Sequence, residues 1–115
     1  MLSQKNRFHG HGSLKYLYKK GISVRSPYIT IKYTHNPRRK NSRYTVVISK
    51  KVVKSAVRRN RIRRRLYEIV RLEMPTLKDN YDLALMVFSG EVFSMDHLSL
   101  SNLVKNLLSQ AGLYK

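Results

Sequence analysis

The spacing of apolar positions changes period several times along the chain. Leu14, Leu17 and Tyr18 fall on one face at helical spacing and predict a short helix over Leu14–Lys20. Ser13 is placed to cap its start, and Gly21 to close it in the left-handed conformation. Ile22–Val24 is short and β-branched and predicts a first strand. After Pro27, Tyr28–Tyr33 alternates: Ile29, Ile31 and Tyr33 share one face, and Tyr28, Thr30 and Lys32 share the other. His35–Ser42 contains Asn36-Pro37 and three cations and reads as a loop. Arg43–Ser49 holds a second strong strand, Tyr44–Ile48, expected to pair with the preceding one as an antiparallel hairpin.

A long helix follows. Ile62, Leu66, Ile69 and Val70 recur at i, i+4, i+7 and i+8, an apolar stripe that can lie on a sheet. Asn60, Arg61, Arg64, Tyr67 and Arg71 fall on the far side, and Arg59 and Arg63 flank the stripe. Pro75 ends the helix, because proline disfavours helical backbone at Met74. Tyr81–Phe88 is nearly all apolar after Asp82, as in a strand buried on both faces. Strand, helix and strand in succession predict a β-α-β crossover with parallel pairing. Ser94 is placed to cap a last helix with Asp96 in its first turn, a buried face of Leu100, Leu103, Val104, Leu107, Leu108 and Ala111, and Gly112 as its stop. The expected fold is a small α/β (α+β) two-layer sandwich in the order α-β-β-β-α-β-α. It forms one domain over residues 1–115, with 1–12 a basic arm around Gly10-His11-Gly12.

Charge changes the picture most. The 115 residues carry a formal net charge of +18, with 24 Lys and Arg against 6 Asp and Glu. Twenty of those cations and none of the acids lie between Met1 and Tyr67. Such an excess repels itself in a folded state and favours a polyanionic partner. There is no cysteine, which excludes disulfides and thiolate metal sites and suits a reducing, cytoplasmic setting. No apolar run approaches the ~20 residues of a membrane span, and the start lacks the apolar core of a signal peptide. The six acids are scattered and late; Asp79 and Asp82 sit near a helix–strand connection, where acids are common. His9 and His11 lack further ligands nearby, so no catalytic or metal-binding residue is assigned.

The concentration peaks at Arg58-Arg59-Asn60-Arg61-Ile62-Arg63-Arg64-Arg65. A solvated charged face normally alternates in sign, and this one contains no acid. Like charges at i+3 and i+4 oppose the free helix, a penalty that a bound anion removes. Arginine forks match phosphate oxygens and stack on bases. No helix-turn-helix, zinc-finger or zipper spacing points to DNA, whereas eight tyrosines and three phenylalanines beside lysines suit single-stranded RNA.

Ser49-Lys50-Lys51, Ala56 and Arg59-Asn60-Arg61-Ile62-Arg63-Arg64 resemble the signature of the bacterial ribonuclease P protein subunit. Asn6-Arg7 ahead of the first helix, Gly21 after it and the order of the later elements extend the resemblance over most of the chain. The resemblance implies a left-handed β-α-β crossover in place of the usual right-handed one. It also implies a one-to-one holoenzyme whose RNA holds the active site, uses Mg²⁺ and cuts precursor tRNA at the mature 5′ end. The protein then sets its basic helix on the catalytic RNA and takes the single-stranded leader between the first helix and the sheet. Carried over by residue, Lys50, Lys51, Arg58, Arg59, Asn60, Arg61, Arg63, Arg64 and Arg65 form the face for the catalytic RNA. Leu14, Tyr18, Tyr28 and Lys32 form the leader cleft; Leu14 stands where an aromatic is common in the family. The alternatives are a ribosomal or other structural ribonucleoprotein component and a nuclease that acts without RNA.

Overall fold

The computed structural model describes residues 11–37 and 41–115, with side chains from residue 14 onward in the first helix. In chain order the described elements are α1 (His11–Lys20), β1 (Ile22–Val24), β2 (Ile29–His35), β3 (Arg43–Ile48), α2 (Ala56–Glu73), β4 (Tyr81–Val87) and α3 (His97–Gln110). Short 3-10 turns follow α2 (Met74–Thr76) and β4 (Gly90–Phe93). The Lys5 and Arg7 arm, Asn6, His9, Gly10 and the loop cations Arg38, Arg39 and Lys40 lie outside the described residues.

The sheet order is β1-β2-β4-β3, which corrects the expected β2–β3 hairpin. β4 lies between them, antiparallel to β2 and parallel to β3, with Leu85 opposite both Ile31 and Val46. The most apolar strand takes an interior position, where both of its edges are paired and both of its faces are covered. α2 supplies the expected crossover between the parallel strands.

The sheet's two faces follow the alternation. On one, Ile29, Ile31, Tyr44, Val46, Ile48, Leu83, Leu85 and Val87 meet the α2 stripe and, from α3, Leu100, Val104, Leu107 and Leu108. Ile62, Leu66, Ile69 and Val70 are the buried residues of α2, as their spacing predicts. On the other face Lys32, Ala84 and Thr45 stand in one row. α1 packs here, against β2 and β4, and buries Leu17 outside the main core.

Several boundaries differ from expectation. α1 begins at His11, so Ser13 lies inside the helix and residues 11 and 12 do not belong to an arm. Gly21 does not adopt the left-handed conformation; among described residues, Gly112 and Asn80 have positive φ. Glycine is needed at 21 because a Cβ would lie 2.5 Å from the Leu17 carbonyl oxygen, 2.9 Å from Leu17 Cδ1 and 3.1 Å from Lys32 Cγ. Asp96, not Ser94, caps α3 by accepting from the Ser99 N–H at 3.2 Å. Ser94 instead donates to the Glu91 carbonyl and closes the 3-10 turn. Gly112, at φ 71°, ends α3 in a Schellman arrangement: Leu113 N–H bonds Leu108 O at 3.1 Å, and Gly112 N–H bonds Ser109 O at 3.0 Å. Tyr67, expected on the outer face, is half-buried, and its hydroxyl accepts the Val46 N–H of edge strand β3 at 3.2 Å.

Asp82 belongs to β4 rather than to the connection before it. Arg43 Nε donates to its Oδ1 at 2.9 Å and Nη2 to its Oδ2 at 2.7 Å, and both side chains are only 6% exposed. Asn36 Nδ2 adds a bond to Oδ2 at 3.0 Å, so this pair joins β3, β4 and the end of β2.

Candidate nucleic-acid interface

α2 starts at Ser55, whose side chain accepts the Arg58 N–H. Lys50 and Lys51 stand exposed on the turn that leads to it, where Val53 N–H bonds the Ser49 carbonyl. The apolar stripe fixes the helix's rotation, and the arginines then divide by what they touch. Arg59 Nη1 donates to the carbonyls of Val53 and Lys54, both at 2.9 Å, and holds the approach to the helix. Arg65 donates to three carbonyls: Val92 at 3.2 Å, Phe93 at 3.3 Å and Met95 at 2.6 Å. It therefore ties α2 to the Gly90–Phe93 turn, an intramolecular role that its expected RNA contact did not include. Arg63 donates to Asn60 Oδ1 at 3.3 Å. Arg58, Asn60, Arg61 and Arg64 are exposed and form a ridge on the side away from the core. Arg71 pairs with Glu68 one turn on, which holds the Glu68 carboxyl below its usual range through the hydrogen bond.

The second surface lies on the face that carries α1. A groove of about 290 Å³ is lined by Ser23, Arg25, Thr30, Lys32, Met86 and Phe88. Lys32 connects it to α1: its Nζ donates to the Tyr18 carbonyl at 2.6 Å and stands 5.9 Å from the Tyr18 ring centre. Tyr18 is 37% exposed, and desolvation raises its phenol above the ordinary value, so it stays neutral at physiological pH. Of the four residues expected in a cleft, Lys32 and Tyr18 are brought together. Leu14 is half-buried on α1, and Tyr28 is half-buried against the main core. The exposed aromatic at this end of the sheet is Phe88, 54% exposed, whose N–H bonds the Tyr28 carbonyl at 2.9 Å and extends the β2–β4 ladder. Phe88 and Arg25 were not expected in the cleft. The end of the apolar strand marks Phe88 in the sequence, but nothing there tells that its ring is left uncovered.

The family model for ribonuclease P matches residues 2–112. The chain belongs to the ribonuclease P protein family. The ribonuclease P protein component of Clostridium kluyveri is 35% identical over 111 residues, covering 95% of this chain and 96% of that one. That of Pseudanabaena is 32% identical over 111 residues, covering 96% and 95%. The fold matches the ribonuclease P protein of Staphylococcus aureus with a TM-score of 0.85 at 23% identity, covering 96% and 98% of the two chains. For the protein of Thermotoga maritima the TM-score is 0.80 at 23% identity, covering 90% and 96%. As a ribonuclease P protein the chain partners the ribonuclease P RNA and is a subunit of the endonuclease that processes tRNA 5′ ends, with the catalytic groups in the RNA. Membership sets aside both the ribosomal and the RNA-free nuclease readings.

Proposed function

We propose that this ribonuclease P subunit uses its two basic surfaces for two different RNAs. The α2 ridge, with Lys50 and Lys51 at its approach, binds phosphates of the catalytic RNA. The groove on the sheet face that carries α1 takes the single-stranded 5′ leader of precursor tRNA. The supporting observation is the layering: α2 packs on one face of the sheet, and the groove opens on the other. In the groove, Arg25 and Lys32 supply charge for the backbone, while Phe88 within it and Tyr18 beside Lys32 offer rings for unstacked bases. Mg²⁺ is assigned to the holoenzyme and its RNA phosphates; the described residues contain no group of three or more His, Asp or Glu that could hold a metal. We further assign one protein per catalytic RNA and a cytoplasmic location; no described helix is long and apolar enough to cross a membrane.

The test is reconstitution with the catalytic RNA, with binding of precursor and mature tRNA measured side by side. Replacing Tyr18 or Phe88 by Ala removes one stacking ring, worth roughly 1–3 kcal/mol per base. Affinity for the precursor is expected to fall while that for mature tRNA, which lacks a leader, is unchanged. Equal losses for both would refute the leader assignment.

A further inference from the structure

Phe93 is the one ring that two cations of the ridge share among the described residues. The Arg58 guanidinium carbon lies 4.8 Å from its centre and that of Arg61 lies 5.9 Å away. Two like charges one helical turn apart repel, and long side chains without partners spread over many rotamers. A ring face carries negative quadrupole and attracts cations within about 6 Å of its centroid. Phe93 thus gathers two guanidiniums that would otherwise separate.

The ring is itself held. It closes the Gly90–Phe93 turn, whose start is capped by Ser89 accepting the Glu91 N–H at 3.2 Å. Next to it Val92 is fully buried. The three carbonyls bonded by Arg65 belong to residues 92, 93 and 95, on both sides of the ring's attachment. Arg65 comes from the same helix as Arg58 and Arg61, so helix, turn and ring form a closed unit. Beside the ring a hollow of about 270 Å³ is lined by Val53, Lys54, Ser55, Arg58, Gly90 and Phe93. It adds a third cation and the capped start of α2 to the same spot.

We propose that Phe93 is a positioning residue for RNA binding: its ring, latched to α2 through Arg65, converges Arg58 and Arg61 on a phosphate of the catalytic RNA. This rests on the assignment of the ridge to that RNA. Ordering a rotamer-rich side chain before binding removes part of the entropy lost on association. Two pre-ordered arginines make Phe93→Leu, which keeps an apolar side chain against the core, roughly three- to tenfold weaker in RNA affinity.

The experiment measures affinity of the full chain for ribonuclease P RNA across salt concentrations. The variants are Phe93→Leu, Phe93→Tyr, Arg58→Ala with Arg61→Ala, and the triple combination; thermal melting of each checks the fold. The expected result is weaker binding by Phe93→Leu with an unchanged salt slope, because no charge is lost. Phe93→Tyr retains affinity, and Phe93→Leu has no further effect once both arginines are gone. If Phe93→Leu weakens binding equally with and without the arginines, or not at all in a protein that melts normally, the positioning role is overturned. If removing both arginines leaves affinity and slope intact, the ridge assignment fails as well, so the two failures are distinguishable.

Discussion

The Arg43–Asp82 pair allows a sharp test of what joins the three strands at that end of the sheet. Both side chains are 6% exposed, and the carboxylate accepts two bonds from Arg43 and one from Asn36. Asp82→Asn keeps shape and volume but removes the charge. It also replaces one acceptor oxygen by an NH₂ group. In either amide orientation that group faces an Arg43 donor at a position where Asp82 accepts at 2.7 or 2.9 Å. The buried arginine then loses the carboxylate's charge and meets a donor where it had met an acceptor. Breaking one side of a buried ion pair costs about 3–5 kcal/mol, out of a total stability of about 5–15 kcal/mol for a domain. At about 4 °C per kcal/mol for a chain near this length, the melting temperature falls by roughly 12–20 °C.

Circular dichroism melts and urea titrations measure this directly, and an unchanged urea slope would show that the native state is lost as one unit. The companion variant, Arg43→Met with Asp82→Leu, removes both charges. It is expected to be less damaging than either single change, because desolvating the pair had offset much of its attraction. A loss below about 1 kcal/mol for Asp82→Asn, or single effects that simply add in the double variant, would refute this account.

Gly21→Ala should destabilise by about 1–3 kcal/mol through overpacking, and it should displace Lys32 from Tyr18, because the new methyl would meet both Leu17 and the Lys32 stem; a thermal melt and precursor binding read the two effects. Arg64→Ala should lower the log-log salt slope of binding to the catalytic RNA by up to about one unit, with melting unchanged, since Arg64 is exposed on the ridge. Hydrogen bonds from Ser99 hold the Asp96 carboxyl below the ordinary aspartate value. A depressed carboxyl contributes stability that is complete above its unfolded pKa and is lost as pH falls through the folded one. Acid melts of the wild type should show that loss below about pH 4, and Asp96→Asn, which can still cap, should lack that part of it.

What the sequence revealed depended on whether neighbours in space are also neighbours along the chain. The α2 stripe was legible because Ile62, Leu66, Ile69 and Val70 need only their own spacing to define a face. The two faces of β2 were legible for the same reason. The order of the strands was not: alternation says which side of a strand is apolar but not which strand lies beside it. The hairpin expectation therefore failed at the one place where β4, arriving 33 residues after β3, inserts between earlier strands. Gly21 was located correctly as a stop, but its cause is crowding by Leu17 one turn back and by the Lys32 stem on β2, not a left-handed backbone. Arg65 looked like one more ridge arginine because its three carbonyl partners are 27 to 30 residues away. Lys32 was legible on the polar face of β2 and Tyr18 on α1, and the structure brings the two into contact, while the exposure of Phe88 could not be read from the chain.

A helix with six arginines between Arg58 and Arg65 and no acid in its first turn has its own charge to overcome. Each like-charge pair at i+3 or i+4 opposes the helix by roughly 0.2–0.5 kcal/mol, and cations in the first turn oppose the helix dipole. Burial of four aliphatic side chains outweighs this, at about 1.5–3 kcal/mol each. The remaining charge is handled locally: Arg59 and Arg65 are directed onto backbone carbonyls, Arg63 onto Asn60, and Arg58 and Arg61 onto the Phe93 ring. Carbonyls and a ring carry only partial negative charge, so they fix the guanidiniums in place without neutralising them. A full salt bridge at these positions would stabilise the free helix but would have to break before phosphate could bind. The absence of acids from this stretch thus leaves a positive field, and the neutral acceptors around it hold the geometry that the proposed phosphate contacts require.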